Sequence, residues 1–233
     1  MPPSGDVGGH PGVMAPSQTP RSRPTPTPDP RAGARPRPTT RVGTDGAPST
    51  LHRLRPLPVP PPPRVVHRDD VPSWVWTGLH LDGVLVPLWR DVARVVGAPD
   101  DAVTRAAAFA ALVPPRAAVG RLAAVWVHVG GEPPSRVAVL VRSGARRLDP
   151  HPDRSTAEAD LRDADVEQIG GVGVTTVART GIDVARWVPA PAAVPALRAL
   201  QRLGFTPDDA RHHLDRHPGA RGVRAARSTL ALV

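Results

Sequence analysis

Proline is spread so unevenly along this sequence that it divides the chain before any other feature is weighed. Of 32 prolines in 233 residues, 18 fall in residues 1–63. Proline lacks a backbone N–H and fixes φ, so runs such as PRSRPTPTPDPRAGARPRPTT and LRPLPVPPPP are excluded from helix interiors and central strands. Such a segment also has too little apolar surface to offset its ordering entropy. A disordered Pro/Arg-rich tail of polyproline II character over residues 1–63 is therefore predicted. Its uses would be as a ligand for a partner groove or as an arginine tether for phosphates. The plainer alternatives are a solvated tail or a start codon assigned too early, since Val65, Val66 and Val71 could each be encoded by GTG.

Residues 64–233 are long enough to bury a core. Every one of the 30 basic residues is Arg, and Lys, Asn, Tyr and Cys are absent. These absences track AT-rich codons, so the arginine excess reflects a GC-rich genome as much as chemistry. Without Cys there is no disulfide framework, zinc-thiolate site or thiol nucleophile. No apolar run reaches the ~18 residues of a membrane span, and the first ten residues contain no signal-peptide core. A cytoplasmic location is expected. Residues 1–63 carry 8 Arg against 3 Asp, and residues 64–233 carry 22 Arg against 18 acids. A surplus of four over the folded part permits nucleic-acid contact without demanding it.

From Val71 onward the hydrophobic pattern becomes regular. Trp74 and Trp76 alternate, and Val84–Val86 offers a short strand after the Asp82-Gly83 turn. Asp100-Asp101 start a helix that places Val103, Ala106, Ala110 and Val113 on one face and stops at Pro114-Pro115. A second helix fits Leu122, Val125, Trp126 and Val129 and ends at Gly130-Gly131. The period then drops to two over Arg136–Arg142 and Ser155–Leu161. Val166–Ile169 and Val172–Thr175 flank Gly170-Gly171, a pair suited to the positive φ angles of a tight hairpin. Helices follow at about 176–188, 191–203, 207–217 and 220–232, with Val177, Gly181, Val184 and Val188 facing inward in the first of them. The order predicts an α+β fold with a small central antiparallel sheet flanked by helices and a helical C-terminal third.

Each candidate site has a bland counterpart. Gly170-Gly171-Val172-Gly173 is not a phosphate loop, because that motif needs a Lys and a following helix. His213 and His217 lie one helical turn apart but have no evident third ligand, so an exposed helix face is the better reading. Arg179, Asp183 and Arg186 are expected on the face opposite Val177 and Val184, as either a charge ladder or an arginine surface for phosphate or an acidic partner. Arg221, Arg224 and Arg227 are expected to stripe the last helix in the same way. No nucleophile elbow and no recognisable catalytic acid pair is present, so a non-enzymatic role is expected, with no cofactor, metal or evident small-molecule substrate.

The strings DGVLVPLWRDV (82–92), RAAAFAALVPPRAAVGRLAAVWVHVGG (105–131) and GVGVTTVARTGIDVARW (171–187), closed by HPGARGVRAARSTLALV (217–233), resemble actinobacterial AbiEi antitoxins of type IV toxin–antitoxin systems. The resemblance spans residues 79–233 and is strongest over VTT-x-ART-x-x-DVAR. It implies a winged-helix DNA-binding domain followed by an antitoxin domain, with operator DNA as a partner and a toxin counteracted without a tight complex. Thr176, Arg179, Thr180, Asp183 and Arg186 occupy that string, where Thr176, Thr180 and Asp183 would be architectural. Residues 64–98 would be a remnant of a winged-helix-like segment, lacking a recognition helix of normal length, and residues 99–233 the antitoxin-like domain. The sequence stops at Val233, short of the Vsr-like endonuclease domain of related chains, so no nuclease activity is expected. The leading expectation is an antitoxin-like transcriptional regulator. The alternative is a protein-binding scaffold with a Pro-rich tail and a basic helical surface.

Overall fold

A computed structural model describes residues 63–146 and 148–233, so the expected disorder of the tail lies outside the described residues apart from Pro63. Two sheets and seven α-helices make up the described part, and the fold is α+β as expected.

The first unit is a strand β1 (Val65–His67), a helix α1 (Ser73–Leu81) and a hairpin of β2 (Leu85–Trp89) and β3 (Val92–Val95). The strands are antiparallel in the order β1-β3-β2. The helix replaces the alternating reading of Trp74 and Trp76: two residues cannot distinguish a period of 2 from one of 3.6. In α1 the His80 ring packs against Trp76 at 4.5 Å, tilted by 50°, while Trp74 is 78% exposed. Gly83, at φ 68°, turns the chain from α1 into β2.

Helix α2 (Ala102–Ala107) begins at the expected place, with Asp101 Oδ1 accepting from the Thr104 N–H at 2.8 Å. It ends sooner than expected and tightens into a 3-10 turn at Ala110–Leu112, which leaves Phe109 between Trp89 and Trp126. Helix α3 (Arg121–Val129) ends at Gly130, whose φ of 80° releases the last turn. Its final carbonyls are answered by a buried side chain: Arg105 Nε donates to Val127 O at 3.1 Å, and Arg105 also pairs with Asp100.

The second sheet contains β4 (Ala118–Val119), β5 (Val137–Arg142), β6 (Arg154–Ala159), β7 (Val166–Ile169) and β8 (Val172–Thr175) in the order β6-β5-β4-β8-β7. It is mixed and not purely antiparallel, because β5 runs parallel to β6 and β4 parallel to β8. The reason lies in β5, whose VAVLV core is buried on both faces. Val137, Val139 and Val141 join the larger core, and Leu140 meets Ala118 and Leu161 on the other side. Such a continuous apolar run suits a covered strand with parallel neighbours. The β7–β8 hairpin turns at Gly170-Gly171, both at positive φ, as the glycine pair implied.

The C-terminal helices are α4 (Val177–Trp187), α5 (Ala190–Gln201), α6 (Pro207–Asp215) and α7 (Val223–Leu230). They pack with α3 around Ile182, Val184, Leu197, Leu200, Phe205, Leu214 and Leu230. Each such aliphatic side chain contributes ~1.5–3 kcal/mol on burial. Helix α4 sits in the middle of this layer and is buried continuously from Arg179 to Ala185.

Candidate functional site

That burial corrects the expectation of an exposed charged face on α4. Arg179 is 9% and Asp183 2% exposed. A guanidinium in this position costs several kcal/mol of desolvation unless its donors are matched, and here they are. Arg179 Nε donates to Asp183 Oδ2 at 2.9 Å, and Nη1 donates to Asp165 Oδ2 at 2.9 Å and to Asp160 O at 2.7 Å. Asp165 also receives the Arg162 N–H at 2.9 Å. Arg179 thus ties α4 to the β6–β7 connection and is not a surface cation.

The threonines of the same string are structural as well. Thr176 caps α4 by accepting from the Arg179 N–H at 3.4 Å. Thr180 is fully buried, and its hydroxyl donates to Thr175 O at 2.9 Å. That carbonyl is also 2.7 Å from His128 Nε2, which joins α3 to the junction.

Arg186 points the other way, toward the end of α4, and forms a cluster with two arginines from distant parts of the chain. The guanidinium carbons of Arg186, Arg221 and Arg121 lie 5.1, 5.6 and 5.8 Å from the ring centroid of Trp187. All are within cation–π range of one indole. Arg186 Nε donates to the Arg221 carbonyl at 3.1 Å. Asp183 is the nearest buried anion to Arg186 and Arg121, but it already accepts from Arg179. Burial pushes the Asp183 carboxyl above its ordinary value, against the pull of Arg179, Arg186 and Arg121. Burial also lowers Arg186.

Arg121 is strained. It opens α3 at φ 53°, a left-handed conformation costing a non-glycine residue of order 1–2 kcal/mol. At the preceding Gly120 a Cβ would lie 2.5 Å from Leu140 Cδ1, so a larger residue would have to displace that buried side chain. The Nε of Arg121 is buried without a hydrogen-bond partner.

A recess of about 280 Å³ opens at this cluster, its lining including Arg121, Arg162, Arg186, Trp187, His213 and His217. The two histidine rings are 5.4 Å apart. Burial, followed by Arg216 and His217, holds the His213 pKa below its ordinary value. Among the described residues no group of three His, Asp or Glu side chains could hold a metal ion.

The last-helix stripe breaks up in three dimensions. Arg221 precedes the helix, because α7 starts only after Gly222, a left-handed N-cap at φ 82°. Arg227 on α7 is paired with Asp215 at 2.7 Å, and Arg224 is exposed on the same helix. The structure therefore brings Arg186 and Arg221 together, sets Arg179 apart as a buried tie, and adds Arg121 and Trp187. Nothing in the sequence spacing marked Arg121, which lies about 65 residues from its cluster partners Arg186 and Trp187. Trp187 directly follows the VTT-x-ART-x-x-DVAR string and so stood beside the candidate residues.

No family model matches this chain, and no curated protein matches it either. Among solved structures, it is similar to the crystal structure of the RV2827C protein from Mycobacterium tuberculosis, at 17% identity and a TM-score of 0.34 over 73% of this chain and 76% of that one. Among the described residues no helix is long and apolar enough to cross a membrane.

Proposed function

We propose that the protein is a non-enzymatic transcriptional regulator of the AbiEi antitoxin type, with operator DNA as its partner. The observation that supports this reading is the order of residues 64–98: a strand, a helix, then a hairpin, with the first strand on the hairpin's outer edge. That is the order of a recognition helix followed by its wing. The nine-residue α1 is also longer than the sequence alone had suggested and stands with Trp74 and Leu81 exposed.

Binding should be weak. α1 carries no Arg, Asn or Gln to read base edges. The hairpin tip is held to the body, since Arg90 pairs with Asp153 at 3.0 Å and Trp89 Nε1 donates to Pro134 O at 2.7 Å. Affinity would then rest on phosphate contacts from cations such as Arg224.

The test is a titration of the full chain against its own upstream DNA at two salt concentrations, with two variants. Trp74→Glu puts a negative charge on the exposed face of α1 and should abolish binding without lowering Tm. Replacing Arg221, Arg224 and Arg227 by Ala should flatten the log–log salt slope by about 0.9 per lost phosphate contact. Absence of binding by the wild type, or undiminished binding by Trp74→Glu, would refute the proposal and leave the protein-binding scaffold as the better reading.

A further inference from the structure

The guanidinium cluster around Trp187 has more positive charge than its own surroundings answer. Arg121, Arg186 and Arg221 gather on Trp187, and the neighbouring carboxylates, half-buried Asp165 and buried Asp183, are both engaged by Arg179. Glu158 and Asp160 also border the recess, but they are exposed, and solvent screens them. Two helices begin at the same place. α3 starts at Arg121 and α7 just after Arg221, and neither N-terminus has a side-chain cap. Ala220 and Val223, on either side of the α7 cap, line the recess together with Arg121. Uncapped N-terminal N–H groups carry partial positive charge and favour an anion. The positive φ of Arg121 and its buried, unpartnered Nε are a further mark, because strain of this kind persists where a function holds it in place.

We infer that the recess at Arg121, Arg186 and Trp187, with Arg221 against the same indole, is a binding site for a phosphate monoester. Arg186 spends its Nε and Nη2 on the Arg221 carbonyl, but among the described residues the Arg121 and Arg221 side chains donate no hydrogen bond, and the two-nitrogen edge of a guanidinium matches the paired oxygens of a phosphate. The volume of about 280 Å³ is at the small end of ligand sites. It suits a free nucleotide or the terminal phosphate of a nucleic-acid strand, which present the same group. The inference does not depend on operator binding by α1, since the recess lies between α3, α4, α6 and α7.

Isothermal titration of the full chain with inorganic phosphate, a nucleoside monophosphate, and an oligonucleotide with and without a 5′-phosphate separates the sources. Fluorescence of Trp187, referenced to a Trp187→Phe variant, reports from the site itself. Saturable binding is expected, with a preference for the 5′-phosphorylated over the 5′-hydroxyl strand if strand ends are the ligand. Arg121→Gln should weaken it by about tenfold or more, the value of one charge-assisted contact. Should Arg121→Gln lower Tm, Arg221→Ala, which removes a guanidinium reaching Trp187 from an exposed turn, gives the same reading. A purely structural cluster, in which the cations only stack on Trp187 and answer the carbonyl end of α4, predicts the opposite. No saturable signal up to about 10 mM, or equal affinity in wild type and both variants, would overturn the inference.

Discussion

Asp183 sits 2.9 Å from one guanidinium and near two more, yet burial moves its carboxyl above the ordinary 3.8. Desolvation of the anion exceeds what its partners return, as in many buried ion pairs. The folded state then holds a proton over an interval in which the unfolded chain has lost it. Across that interval stability falls as pH rises, and above the raised pKa the loss is complete. The stability of wild type minus that of Asp183→Asn, measured by urea unfolding at stepped pH, should decline as pH increases from about 4 and then level off. A difference that grows with pH would mean that the Arg179 pairing dominates instead. None of this was visible in sequence. Charges three and four positions apart are what a solvated helix face looks like, and only the β6–β7 connection packed over α4 turns them inward.

At the scale of the element, α4 concentrates the most consequential side chains. Val184 is fully buried among α3, α5 and α7, so Val184→Asp places an unpaired carboxylate in the core. A loss of about 4 kcal/mol or more is expected, against about 0.5 kcal/mol for Thr176→Ala, whose capping bond is long at 3.4 Å. Gly181 separates packing from propensity. A Cβ there would lie 2.2 Å from Phe205 Cε2, so Gly181→Ala should destabilise by about 1–3 kcal/mol despite alanine's better helix propensity. Chemical denaturation of the three variants checks that ranking, and an unchanged or raised midpoint for Gly181→Ala would show that Phe205 can move aside. Elements with a full period and clear stops were readable in advance: α3 with its end at Gly130, the β7–β8 hairpin at its glycine pair, and the four C-terminal helices. β4 was not. Its two residues make no period, and they are a strand only because β5 and β8 bracket them.

For the whole molecule, the question is whether residues 64–98 stand apart from the rest. The sequence reading sets a boundary after residue 98, but the hydrophobic core runs across it. Trp89 and Val92 of the hairpin lie in the same cluster as Phe109, Ala124, Trp126 and Val139. The Trp89 and Phe109 rings meet edge to face at 5.0 Å, and the indole N–H is spent on Pro134 O. Such contacts are long-range in sequence and leave no local trace, which is why a separate remnant was the natural reading of composition and spacing. A shared core predicts shared unfolding. Far-UV circular dichroism and tryptophan fluorescence of the full chain should follow one coincident urea transition. Trp89→Ala should cost about 3–5 kcal/mol, the range for removing a large buried aromatic, and should shift both signals together. A chain starting at residue 99 would uncover the Phe109–Trp126 face and should lose cooperativity. If that shorter chain instead unfolded at the midpoint of the full one, the hairpin would be an appendage to an independently stable body. Coincident transitions would mean that any ligand at α1 acts on the same cooperative unit that carries the Trp187 cluster. Binding at either would then raise the stability of both by the same mass-action term.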